Sequence, residues 1–179
     1  MSAINLTEFK PTIVFVAKFV ALYFVFNLGY GFYVESYKNK PDAATVWVTH
    51  QSSKIISWIG WKTETMNIPK KPTTSIVFNG NGIVSVYEGC NGINVAIIFL
   101  SFLFAFGPYN KALAWFAPVG LVVIHLTNLG RIIGLFFVVI YMPSAVYFSH
   151  KYLFTAVIYA VVFTLWLVWL RITYWKKAI

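Results

Sequence analysis

Cys90 is the single cysteine of the 179-residue chain. It stands in Tyr87-Glu88-Gly89-Cys90-Asn91-Gly92, directly before an apolar run from Ile93 to Phe106. A membrane helix over that run places Cys90 at its first turn, at the water boundary, where the positive end of the helix dipole favours an anion such as a thiolate. His125, Asn128 and Arg131 follow at i, i+3 and i+6, near one face of a later apolar run, and His150 opens the last one. From Ala112 to Arg131 a helix rises roughly 28 Å, so a span begun at one membrane boundary brings Arg131 to the other. Cys90 and His150 begin their own spans at that same depth. A thiol, an imidazole and a guanidinium are what acyl transfer requires. Cys90 would be the nucleophile, His150 the proton shuttle, and Arg131 the stabiliser of the thiolate or of a developing oxyanion. Length counts fix depth and say nothing of lateral neighbours. The structural alternatives are an inert, buried Cys90, an Arg131 anchored to headgroups or backbone carbonyls, and a His150 that merely starts a helix.

Glu88, two residues before the thiol, would pair with Arg131 or orient His150; otherwise it is an exposed loop carboxylate. Asn91 and Tyr87 are candidate wall residues. Asn128 is a candidate supporting residue, and His125, a turn or more deeper, is expected in a buried hydrogen bond with Asn128 as its candidate partner. His50 reads as an exposed side chain. The catalytic candidates are Cys90, Arg131 and His150, with Glu88, Asn128 and Asn91 in support.

The elements that hold these residues belong to a membrane protein. Hydrophobic residues make up 59% of the chain and charged residues 11%, against about 25% charged in soluble domains. The net charge is +9, but the basic residues are scattered. Nucleic-acid binding would need a basic face, and the excess suits anionic lipid headgroups instead. A lone cysteine makes no internal disulfide, and the three histidines and five acids fall in no metal-ligand spacing. No cofactor and no metal is expected.

Pro11 to Val34 is long and apolar enough for a first span, with Lys18 snorkelling from within it and Gly29 and Gly31 available for close helix contact near its end. Val46 to Trp61 reads as an amphipathic helix on the membrane surface, with Trp47, Trp58 and Trp61 at headgroup level. In Ser75 to Tyr87, two β-branched runs flank a doubled Asn-Gly, a hairpin signal. That hairpin leads into Cys90, and is either a connector or one wall of a site that takes an extended peptide by strand addition. Cys90 to Gly107 is 18 residues, or roughly 27 Å of helix, enough to cross. Ala112 to Tyr141 is too long for one straight span, with Pro118, Gly120, Gly130 and Gly134 as points of kinking or division. Met142 to Ser149 reads as a loop and Lys151 to Leu170 as the last span.

The expected fold is therefore an all-α polytopic membrane protein, with about four transmembrane helices, an external amphipathic helix and a small β-hairpin. Residues 1–34 form the tail and first span, 35–89 the external segment, and 90–179 the transmembrane core. Arg171, Lys176 and Lys177 put the C-terminus in the cytoplasm by the positive-inside rule. With four spans, Glu35 to Cys90 then lies outside an inner (cytoplasmic) membrane.

Glu88-Gly89-Cys90-Asn91-Gly92 opening a span, Asn128-Leu129-Gly130-Arg131 in a later one and His150 opening the next resemble the exosortase/archaeosortase superfamily, and the short length resembles its exosortase F form. The chain departs from the common Cys-Ala-Gly or Cys-Ser-Gly of that family with Cys90-Asn91-Gly92. The resemblance implies a multi-pass, sortase-like cysteine protease-transpeptidase in which Cys90, Arg131 and His150 map to the family's nucleophile, arginine and histidine. It also implies the partners: exported proteins that carry a C-terminal hydrophobic helix and basic tail. The rival reading is a non-enzymatic multi-pass subunit that binds partner helices through Arg131 and Asn128. A transporter fits less well, because the second and fourth spans have almost no interior polar residues to line a path.

Overall fold

The computed structural model describes residues 6–174. Met1 to Asn5 of the N-terminal tail, and Lys176 and Lys177 of the C-terminal basic cluster, lie outside the described residues. The chain is mostly helical, with one small antiparallel sheet. In order it forms α1 (Leu6–Ser36), α2 (Ala43–Trp58), β1 (Thr63–Asn67), β2 (Thr73–Phe78), β3 (Asn81–Tyr87), α3 (Ile93–Phe106) and α4 (Lys111–Tyr141). A short α5 (Val146–Phe148) and a π-helical turn Ser149–Leu153 then lead into α6 (Phe154–Tyr174). Among the described residues three segments are long and apolar enough to cross a membrane: Phe9–Ser36, Lys111–Tyr141 and Pro143–Thr173. The fourth, α3, has 14 residues, a rise of roughly 21 Å against a hydrocarbon core of about 30 Å.

Two apolar cores are stacked along α4. Phe99 and Leu103 of α3, Leu113, Phe116 and Ile124 of α4, and Val162 and Trp169 of α6 form the lower one. Ile132, Leu135 and Phe136 of α4 form the upper one with Val48 and Ile56 of α2 and Ile76, Val84 and Val86 of the sheet. This explains why α4 runs for 31 residues without division. Its first half packs on α3 and α6, and its second half is the floor on which α2 and the sheet are laid. Pro118, the eighth residue of that helix, takes away the hydrogen bond to the Ala114 carbonyl, yet the helix runs through it undivided. Gly120 and Gly134 act as contact points, not hinges. A Cβ at Gly120 would lie 2.1 Å from the Phe99 ring, and one at Gly134 would lie 2.6 Å from that of Phe154. Gly29 and Gly31, by contrast, have nothing within 4 Å of such a Cβ. The first span packs on α3 through aromatic contacts instead, with Phe15 meeting Phe102 and Phe106 edge-on.

The structure differs from expectation at several points. The face that α2 buries against the protein is not its apolar one, and Trp47 and Trp58 stay exposed. The buried stripe is Thr45, Val48, Thr49, Ser52, Ser53 and Ile56, largely hydroxyl residues that satisfy themselves. Thr49 and Ser52 donate to the carbonyls of Thr45 and Val48, and Ser53 meets Thr63 of β1. Trp61 is not a free surface ring but packs among Phe78, Phe136, Phe137 and Tyr141. The hairpin turns at Asn79-Gly80, both at positive φ, the geometry that matches strand twist. It gains a third strand, β1, giving the order β1-β2-β3. Finally, Met142 to Ser149 is not a loop. It is coiled into a short 3-10 turn and α5, continuous with the last span.

Candidate active site

Cys90 closes a 3-10 turn, Glu88–Cys90, that joins β3 to α3. It therefore precedes α3, whose N-cap is Gly92 at φ +90°, instead of lying within its first turn. The left-handed backbone there favours glycine. Glycine is also needed sterically, since a Cβ would come 3.2 Å from the Asn128 amide. The fully buried Asn128 uses that proximity, its Nδ2 donating to the Cys90 carbonyl at 3.1 Å. One residue on, Asn91 is a hub. Its Nδ2 donates to Tyr30 Oη at 2.8 Å and to Thr45 Oγ1 at 3.2 Å, while its Oδ1 accepts from Ile93 N at 3.0 Å. Tyr30 in turn donates to the Glu88 carbonyl at 3.2 Å. Thr45 donates to Asp42, whose carboxylate caps α2 by accepting from the backbone of Ala44 and Thr45. The turn that carries the thiol is thus tied to α1, α2 and α4 by hydrogen bonds, all of them remote in sequence.

The thiol faces two groups. Cys90 Sγ lies 3.9 Å from His150 Nε2, and an Arg131 guanidinium nitrogen lies 3.8 Å from the same sulfur. Cys90 itself is buried, while Arg131 and His150 are half-buried. His150 sits in the π-helical turn, with its carbonyl accepting from Thr155 at 3.3 Å. Such a turn inserts one residue and offsets the helix by about 100°. His150 is aimed at the thiol while α6, from Phe154 on, keeps its own face on α3 and α4. The Phe154 ring resting on Gly134 fixes that junction. Tyr87, at the end of β3, completes the rim. Its phenol is pushed above the ordinary tyrosine value, first by the charge of an ionised Cys90, then by a hydrogen bond to that sulfur, then by burial. It remains a proton donor near neutral pH.

The other candidates are distributed differently. Glu88 bonds to neither Arg131 nor His150; its Oε2 is buried without a hydrogen-bond partner. His125 pairs with Gln51 Oε1 at 2.8 Å and stacks on Trp47, not on Asn128. His50 is exposed. Tyr30, Asp42 and Thr45 were not singled out from sequence. Asp42 carries a readable signal, an N-cap acid ahead of a helix; Tyr30 carries none, being one aromatic among many in the first span. No group of three or more histidine, cysteine or acidic side chains capable of holding a metal occurs among the described residues.

A family model for the transmembrane exosortase (Exosortase_EpsH) matches residues 6–171. The chain belongs to that family. No curated protein and no solved structure matches it. This exosortase is a multi-pass, mostly helical membrane protein, and the family match takes in the whole of α1 to α5, the sheet and most of α6. In exosortase terms, the three side chains whose types suggested acyl transfer come from the turn before α3, from α4 and from the turn before α6, and they converge at the lower margin of the upper apolar core, to which Cys90 belongs.

Proposed function

We propose that this exosortase is a cysteine protease-transpeptidase of exported proteins, working at the outer face of the inner membrane. The observation that carries this reading is the pair of contacts at sulfur: His150 Nε2 at 3.9 Å and an Arg131 nitrogen at 3.8 Å from Cys90 Sγ. These are slightly long for catalytic hydrogen bonds, as sites without substrate often are. His150 Nε2 takes the proton of the thiol, and Arg131 steadies the resulting anion. The thiolate attacks the scissile carbonyl carbon. Arg131 stabilises the oxyanion of the tetrahedral intermediate. His150 returns its proton to the leaving amine, the C–N bond breaks, and the N-terminal part of the substrate stays on Cys90 as a thioester. Water or an amine or hydroxyl acceptor then attacks that thioester, gives its proton to His150 and regenerates the thiol. The substrate class is an exported protein with a C-terminal hydrophobic helix and basic tail, its helix lying beside the spans.

The test is a covalent one. Cells are quenched in acid, and the protein is examined without added thiol for a polypeptide attached through Cys90 and released by hydroxylamine. The expected result is an adduct in the wild type and none in Cys90→Ala. In intact cells, a membrane-impermeant alkylating reagent should label Cys90 quickly at neutral pH, with a pH profile that changes in His150→Ala. Labelling only after the membrane is dissolved, with no response to His150→Ala and no adduct, would sink the enzyme reading in favour of a structural membrane subunit.

A further inference from the structure

The sheet has two edges, and they are treated differently. At one, β1 is tied to α2. The Thr63 backbone N–H donates to Ser57 Oγ at 3.4 Å, and the Thr63 hydroxyl donates to the Ser53 carbonyl at 2.9 Å. At the other, β3 pairs with β2 along its length. Among the described residues its backbone makes no hydrogen bond to any further element. In an antiparallel pair the strand's alternate residues turn their N–H and C=O groups away from the partner. The outer side of β3 is therefore a row of unfilled backbone donors and acceptors.

Unprotected edges are rare, because they invite pairing; lysine, proline or a covering element normally blunts them. The sequence of β3, Asn-Gly-Ile-Val-Ser-Val-Tyr, has no charge and no proline. Its one irregularity, between Ile76 and Val77 of the partner register, lies toward the hairpin turn and leaves Val84 to Tyr87 regular. That regular half runs into Glu88–Cys90 without an intervening loop. Its direction is also set. Phe78, paired with Asn81 at the start of β3, touches Phe136, whereas Cys90 touches Asn128 and Arg131. β3 thus descends α4 toward the spans and ends at the thiol.

We infer that the outer edge of β3 is the substrate subsite: an extended segment of the exported protein adds there as a fourth, parallel strand. This rests on the proposed thiol chemistry and specifies how the peptide reaches it. A polypeptide whose C-terminal helix lies beside the spans descends from the sheet toward the membrane, in the same direction as β3, so the pairing is parallel. Main-chain hydrogen bonds supply most of the affinity and hold the residues before the scissile bond straight. Ser85 and Tyr87, both exposed on the face away from α4, flank the side chains of that segment.

The test places p-benzoylphenylalanine at Ser85, and separately at the exposed Met66 of β1, in the full-length protein in its native membrane. Cys90 alkylation serves as the check that each variant is folded. Cross-strand neighbours come within about 5 Å, so photocrosslinking at Ser85 should exceed that at Met66 by about tenfold. The captured chain should be the polypeptide that hydroxylamine releases from Cys90. Peptide mapping should put the crosslink on the N-terminal side of the thioester carbonyl. A crosslink mapping to the C-terminal side, equal capture at Met66, or no capture at Ser85 while the thioester forms, overturns the edge subsite and leaves the thiol chemistry standing. Capture of a second copy of this chain at Ser85 also overturns it, making the edge a self-association surface. Absence of any thioester adduct removes the chemistry, and the subsite with it.

Discussion

Arg131 is the residue whose chemistry is most sharply testable. Its guanidinium reaches the sulfur with one nitrogen at 3.8 Å, leaving the rest of the planar fork for an oxyanion. Lysine offers a point charge without that fork. Arg131→Lys should therefore lower turnover by roughly a hundredfold while substrate binding changes little, as expected when one transition-state donor is lost. Single-turnover release of the leaving peptide checks it, and unchanged turnover would remove Arg131 from the oxyanion role. Asn91 makes a different prediction. Asn91→Ala strands the Ile93 N–H and takes one donor from Tyr30 Oη and from Thr45 Oγ1, which keep their bonds to the Glu88 carbonyl and to Asp42. Each stranded buried group costs about 1–3 kcal/mol, so the loss should appear in thermal unfolding in detergent. Tyr30→Phe removes a single hydroxyl at the rim of the same hub. It should leave thermal stability nearly unchanged and yet slow Cys90 alkylation, because it releases the Glu88 carbonyl and with it the turn that aims the thiol.

At the level of elements, the junction of α4 with the last span controls His150. Phe154 rests on Gly134, where a Cβ would lie 2.6 Å from the ring. Gly134→Val should push the start of α6 outward, carry His150 away from the sulfur, and flatten the pH dependence of Cys90 alkylation toward that of His150→Ala. Phe154→Leu in the same chain should restore part of it; failure of that rescue would mean that the contact only packs the helices. The elements also show what could be read from sequence and what could not. The spans were legible because apolar length converts directly to depth, so Cys90, Arg131 and His150 could be counted to one level before any contact was known. Lateral adjacency has no such arithmetic. His125 finds Gln51, and Asn91 finds Tyr30 and Thr45, across 74, 61 and 46 residues respectively. β1 escaped notice because Thr-Glu-Thr-Met-Asn shows no apolar alternation; it is a strand through its pairing with β2. The buried face of α2 was misjudged for a related reason. It is built of serine and threonine, whose hydroxyls return to the helix backbone and so behave in the core as small, satisfied side chains.

For the molecule as a whole, the proposed site lies at the lower margin of one core and above a second. The upper core, under the sheet, holds the strand that leads to Cys90. The lower core holds the helices together in the bilayer. α4 belongs to both, and any lipid force that tilts α4 reaches Asn128 and Arg131. Here the 14-residue length of α3 matters. Its neighbours are long enough to bridge an ordinary bilayer, but the helix leading from the thiol is not. With the Gly107–Asn110 turn at one face of the membrane, the 18 residues from Cys90 to Gly107 rise roughly 27 Å, which brings Cys90 only just to the opposite boundary of an ordinary bilayer, where water reaches it. The margin at the reactive end is therefore small, and a bilayer thicker than ordinary must thin there or cover the thiol. Bilayer thickness becomes a control variable. Reconstituted in dimyristoyl phosphatidylcholine, the protein should expose Cys90 to a charged alkylating reagent several-fold faster than in dierucoyl phosphatidylcholine, and substrate turnover should follow the same order. Such a site is gated by the membrane it sits in: where the bilayer thickens, the thiol is shielded by lipid tails although no residue of the protein has moved.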